Sequence, residues 1–185
     1  MKLWLLRHAQ VHVPAGVCYG MHDVPANEQA TQEAAEAFAM CPQHGSVLWS
    51  SPLSRAWQLS QALHSRRADL SVPRADARLC EMNFGIWEMQ AWDAIARTAF
   101  DAWMADFTHH RFGGGESTHE VICRVGQALD DARALNVPEV VWVTHAGVIK
   151  AVQYLLASGG NESMIRPDQW PQESPSYGGW MAFEI

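Results

Sequence analysis

No apolar run in this 185-residue sequence is long enough to cross a bilayer. The opening run, Lys2-Leu3-Trp4-Leu5-Leu6, is cut off by Arg7 and His8 before the core of an export signal is complete, so a soluble cytoplasmic chain is expected. Basic charge is also scarce: 13 Lys and Arg stand against 20 Asp and Glu, a formal net charge of -7. Without a basic stripe, neither nucleic acid nor a membrane surface is an expected partner. Cysteine is sparse, and Cys18, Cys41, Cys80 and Cys123 form no CxxC pair, which argues for reduced thiols rather than a disulfide framework or zinc knuckle. His12, His22, His44, His64, His109, His110 and His119 show no HExxH or paired-ligand spacing, so no metal site is expected. Gly113-Gly114-Gly115 follows no strand and lacks the Gly-Lys-Ser/Thr ending of a phosphate loop; it reads as a flexible lead into a helix, and no cofactor is implied.

What is present is a globular composition, 48% hydrophobic and 18% charged, without repeats or linker-like segments, which predicts a single domain over residues 1–185. Lys2 to Leu6, Val47-Leu48-Trp49 and Val140 to Val143 are short apolar runs that stop at polar residues, as central strands covered on both faces do. Helical segments are expected over Glu28 to Met40, Leu53 to Leu63, Ser117 to Leu135 and Gly147 to Leu156, with Ser117 and Glu120 in capping-box spacing. Gly179 to Ile185 reads as an edge strand. Strands alternating with helices predict an α/β three-layer sandwich, a mostly parallel central sheet with helices on both faces. Such sheets bind ligands beyond the carboxyl ends of their strands.

Those ends carry Arg7-His8, Ser50-Ser51-Pro52-Leu53-Ser54-Arg55 and Thr144-His145-Ala146-Gly147. Each alone is compatible with an ordinary strand end or helix start. Together they deliver two arginines and two histidines to one edge of an acidic protein, and a phosphoryl group is the natural guest. Arginine holds phosphate oxygens with a rigid fork of donors. A histidine fixed in one tautomer by a carbonyl presents its other nitrogen for in-line attack, a role His8 is placed to fill, while His145 at a helix start suits charge stabilisation. A leaving alcohol needs a proton. Glu81, among Leu79, Cys80, Met82 and Phe84, is the candidate donor, with Glu88 as its rival or a structural acceptor. Trp87, Trp92 and Trp103 either line the mouth of the pocket or pack in the core.

Leu5-Leu6-Arg7-His8-Ala9, Ser50 through Ala56, Leu79-Cys80-Glu81 through Trp87-Glu88, Gly114-Gly115-Glu116-Ser117 and Val143 through Gly147 resemble, in order, the successive motifs of the histidine phosphatase superfamily, whose fold is phosphoglycerate mutase-like. The resemblance implies His8 as phosphorylated nucleophile, Arg7, Arg55 and His145 as the phosphate pocket, Glu81 as proton donor, and no metal. Glu81 through Met89, Tyr19-Gly20 and the final Gly179 through Ile185 resemble the phosphatase branch, particularly the α-ribazole phosphatases, more than the phosphoglycerate mutases. That implies hydrolysis of a small-molecule phosphate ester, α-ribazole 5'-phosphate in cobalamin biosynthesis, by a monomer or homodimer.

Ala9 replaces the family's usual Gly, which requires a negative φ there, and Pro14 stands where an Asn side chain would otherwise reach phosphate. These departures keep open a broad-specificity phosphatase, a mutase, or a phosphate-binding module without turnover.

Overall fold

The computed structural model describes residues 1–160 and 165–185. Along the chain lie β1 (Lys2–Arg7), β2 (Val17–Cys18), α1 (Glu28–Phe38), β3 (Val47–Ser50), α2 (Ser54–Arg66) and β4 (Arg74–Ala75). They are followed by β5 (Gln90–Ala91), α3 (Arg97–Ala105), α4 (Thr118–Ala134), β6 (Glu139–Thr144), α5 (Ala146–Ala157) and β7 (Trp180–Glu184). The main sheet has the order β4-β3-β6-β1-β7; β4, β3, β6 and β1 run parallel, and β7 closes one edge antiparallel to β1. Among the described residues no helix is long and apolar enough to cross a membrane.

The apolar runs become strands because both sheet faces are covered and successive side chains alternate between them. Leu3, Leu5, Trp49, Val140 and Trp142 face α4 and α5, where they meet Val121, Val125, Val148 and Val152. Leu6, Leu48, Val141 and Val143 face α1 and α2, against Phe38, Leu59 and Leu63. The result is the expected α/β three-layer arrangement. Trp49 and Trp142, side by side in the β3–β6 register, stack at 6.1 Å with an interplanar angle of 10°.

Helix α4 starts where its capping chemistry dictates. The Ser117 hydroxyl accepts from the Glu120 amide at 3.2 Å, and the Glu120 carboxylate accepts from the Ser117 amide at 2.8 Å.

The glycine run ahead of this helix is not the flexible lead the sequence implied. Gly113 and Gly114 have φ of 69° and 77°, and the run is wedged against residues 83–85. A Cβ on Gly113 would lie 2.0 Å from the Phe84 carbonyl oxygen, and one on Gly115 would lie 2.1 Å from that of Asn83, whereas Gly114 faces open space. Backbone-to-backbone packing, not freedom, explains the composition. Gly113→Ala, which combines left-handed strain with a collision, should therefore destabilise the protein by more than ~2 kcal/mol, and Gly114→Ala by only ~1 kcal/mol. Urea denaturation of the two variants measures the difference; equal effects would contradict the packing account.

Candidate active site

The sheet register builds the centre of the site. Arg7 pairs with Thr144 and Ser50 with Val143, so the residues that follow these strands, His8, His145 and Ser51, emerge side by side. The His8 amide donates to the Thr144 carbonyl at 3.0 Å, and the Ser51 amide to the Val143 carbonyl at 2.9 Å, extending the ladder beyond the strand ends. The two imidazoles consequently stand 5.1 Å apart, centroid to centroid.

His8 Nδ1 lies 2.7 Å from the Ala9 carbonyl oxygen. A carbonyl only accepts, so Nδ1 carries the hydrogen and Nε2 holds a lone pair. Burial, reinforced by Arg55 and Arg7 against the opposing Ala9 hydrogen bond, brings the His8 pKa from its usual 6.5 down to about 3. The His145 imidazole is likewise held well below its ordinary range, by complete burial first and then by Arg55 and His8. Its Nδ1 accepts from Arg55 Nε at 3.3 Å, so its Nε2–H donates to the Ser51 hydroxyl at 2.8 Å. Both rings are neutral at neutral pH.

The arginines differ in how they are held. Arg55, on the first turn of α2, is fully buried and also donates to the carbonyls of His22 at 2.9 Å and Gly20 at 2.5 Å. Arg7 donates from Nη1 to the Pro175 carbonyl at 2.8 Å and lies 4.2 Å above the Tyr177 ring, while its Nε is buried without a partner. Among the described residues neither guanidinium forms an ion pair. Two cations without a carboxylate partner, beside two neutral imidazoles, make a site short of negative charge.

Glu81 lines the same cavity as Arg7 and His8. Its carboxylate accepts from the Met82 amide at 3.0 Å and from the Gly147 amide, in the first turn of α5, at 3.1 Å. A Cβ on Gly147 would lie 2.1 Å from Glu81 Oε1, so a side chain there would displace the carboxylate from this position. Behind Glu81, Arg124 on α4 donates to the carbonyls of Arg78 at 2.6 Å, Cys80 at 2.8 Å and Glu81 at 3.2 Å, and is paired with Glu116 at 2.8 Å. Glu116 in turn accepts from the Asn83 amide at 2.9 Å, so one ion pair clamps the loop on both sides of Glu81. Glu88 is used differently. It accepts from the amides of Met21 and Phe84 and tethers two loops, the structural acceptor role weighed for it.

Arg7, His8 and Glu81 line one cavity of 420 Å³, with His145 and Arg55 packed behind His8 and absent from its wall. The structure thus gathers all five expected residues around one centre, three at the surface of the cavity and two a layer deeper. Trp92, Trp103 and Phe84 form an aromatic wall, whereas Trp87 leaves the cavity and packs on Phe112. Ala9 is buried with no positive φ, so its methyl is accommodated, and exposed Pro14 lies outside the cavity lining.

Sequence reasoning missed Arg124, Lys150 and the pair Tyr19 and Tyr177, whose hydroxyls are hydrogen-bonded at 2.9 Å beside the nucleophile candidate. Arg124 had a signal, as a lone cation among the buried Val121, Ile122 and Val125 of one helix, and Tyr19 stood in a segment that resembles the phosphatase branch, though with no role read for it.

Comparison with known proteins decides the family. The sequence profile of the histidine phosphatase superfamily (branch 1) matches residues 3–174. The chain belongs to this superfamily. Mycobacterial glucosyl-3-phosphoglycerate phosphatase is similar in structure, with a TM-score of 0.79 and 27% identity over 98% of this chain and 88% of the other. A Thermus thermophilus protein gives a TM-score of 0.69 at 25% identity, covering 98% of this chain and 92% of the other. A Hydrogenobacter thermophilus protein named "Putative phosphoserine phosphatase 2" is 26% identical over 168 residues, 88% of this chain and 82% of its own length. Among the described residues of this histidine phosphatase, no group of three or more His, Cys, Asp or Glu is arranged to hold a metal ion.

The neutral His8 has a consequence for stability. Between about 3 and 6.5 the unfolded chain binds a proton that folded His8 refuses, so stability is fully retained above 6.5 and falls as the pH drops toward 3. His8→Asn should reduce that acid loss by up to about 1.4 kcal/mol per pH unit. Denaturation of both proteins between pH 7 and pH 4 measures it, and parallel curves would contradict a depressed His8.

Proposed function

We propose that this chain is a phosphomonoesterase that works in two steps through a phosphohistidine on His8. The observation that carries this reading is the neutral His8, its Nδ1–H fixed on the Ala9 carbonyl, beside two arginines that lack carboxylate partners. A phosphoryl dianion supplies the missing negative charge. Arg7 holds it directly, and Arg55 and His145 reach it by exchanging their mutual bond and the bond to Ser51 for phosphoryl oxygens.

In the first step the His8 Nε2 lone pair forms a bond to phosphorus as the ester P–O bond breaks, and Glu81 gives its proton to the departing alcohol oxygen. In the second, Glu81 takes a proton from water, the water oxygen bonds to phosphorus, and the P–N bond breaks to release inorganic phosphate. The guanidinium groups balance the charge at phosphorus, so the mechanism as proposed requires no metal ion.

The likeness to proteins named as phosphatases supports hydrolysis over mutase chemistry, and the accommodated Ala9 methyl supports turnover over a merely phosphate-binding module. The finer reading, α-ribazole 5'-phosphate in cobalamin assembly, draws its support from the aromatic wall of Trp92, Trp103 and Phe84, which suits a flat base. The relatives above are named for other esters. The subcellular location proposed is the cytoplasm.

Hydrolysis of phenyl phosphate in the presence of chelator is the expected result. His8→Ala should abolish it, and Glu81→Gln should lower kcat by about 100-fold or more. The Glu81→Gln loss should shrink for an ester such as 2,4-dinitrophenyl phosphate, whose alcohol departs without a proton. Chelator-sensitive turnover, or an active His8→Ala variant, would contradict the mechanism.

A further inference from the structure

Among the described residues, Lys150 is the one cavity-lining charge that the proposed reaction does not use. It sits on α5 one turn beyond Gly147, whose amide holds Glu81, and so on the side of the cavity where the alcohol leaves. Its side chain is partly buried and makes no hydrogen bond or ion pair among the described residues. The charges around it do not balance. Among the described residues the cavity wall carries two cations, Arg7 and Lys150, against one carboxylate, Glu81; behind it, Arg55 feels both Glu81 and Asp23. A phosphoryl dianion answers the two arginines. The carboxylate cannot answer Lys150 in the first step, because Glu81 must then carry the proton it donates.

We propose that Lys150 binds a second anionic group carried by the alcohol portion of the ester, so that preferred substrates are phosphate esters of acidic alcohols. This deepens the phosphatase reading and rests on it. Burial and Arg7 both push the Lys150 ammonium toward its neutral form while Glu81 opposes them, so a negative group from the substrate relieves an existing electrostatic cost. The aromatic residues of the same cavity, Phe84, Trp92 and Trp103, give the carbon frame of such an alcohol an apolar surface. The inference ranks acidic esters above esters of uncharged alcohols, α-ribazole 5'-phosphate included. A carboxylate and a second phosphate share the required chemistry.

Binding separates these possibilities without relying on turnover. Benzylphosphonate mimics phenyl phosphate but has no ester bond to break, and 3-carboxybenzylphosphonate and 3-(phosphonomethyl)benzylphosphonate add the two kinds of anion. By calorimetry the intact protein should bind at least one acidic analogue about tenfold more tightly than benzylphosphonate, the scale of one charge-assisted hydrogen bond. That ratio should fall to near one in Lys150→Met and persist in Lys150→Arg. Preference for the carboxylate alone, or for the second phosphonate alone, assigns the anion. A ratio of one for both in the unaltered protein, or a ratio that Lys150→Met leaves unchanged, would overturn the proposal, the latter leaving Lys150 as a counter-charge for Glu81 only. Hydrolysis of phenyl phosphate, followed in parallel, reports on the phosphatase reading separately: its failure with the binding ratio intact would remove the reaction and keep the contact.

Discussion

The site is organised around buried positive charge whose hydrogen bonds go to neutral acceptors rather than to a carboxylate. Arg55 is wholly inside the protein, yet its donors are met by two carbonyls and an imidazole, and Arg7 rests on the Tyr177 ring and one carbonyl. Neutral acceptors satisfy the hydrogen bonds of a guanidinium but leave its field in place. Burial first, and then that field, keep His8 and His145 unprotonated. The same arrangement that leaves the cavity short of negative charge gives His8 Nε2 a free electron pair and a standing attraction for a dianion.

The fold delivers this arrangement through register. Parallel pairing of β1, β6 and β3 brings three strand ends level, so residues far apart in sequence, such as His8 and His145, become neighbours. Helix starts complete the edge: α2 brings Arg55 inward, and α5 offers the Gly147 amide to Glu81. The loop bearing Glu81 has no strand to hold it. Its place is taken by the Arg124–Glu116 pair and by close packing of the 113–115 glycines on residues 83–85.

Most of the sheet and its flanking helices were legible in the sequence, because central strands are short apolar runs that end in polar residues and α4 opens on a capping box. The two-residue strands β2, β4 and β5 and the helix α3 carry no comparable pattern; they are held by contacts with the rest of the chain. The same distinction applies to the site. Arg7, His8, Arg55 and His145 sit beside strand ends and could be found from that position, whereas Glu81 was picked out by its apolar and aromatic neighbours in sequence, with the family motif as further support. The clamp of Arg124 on three carbonyls, the Tyr19–Tyr177 bridge and Lys150 depend on side chains from separate loops and helices meeting in space. The glycine triad was misread for a related reason: composition reveals conformational freedom, but not the carbonyl oxygens of Phe84 and Asn83 that occupy the space a side chain would need.

The most direct test of this account is the protonation of His8 itself, read by nitrogen-15 NMR of histidine-labelled protein with assignment through the His8→Asn variant. The account predicts a single neutral tautomer, hydrogen on Nδ1 and none on Nε2, persisting well below the usual titration range of imidazole near 6.5 in the phosphate-free protein. A His8 that titrates near 6.5, or one whose Nε2 carries the hydrogen at neutral pH, would contradict it.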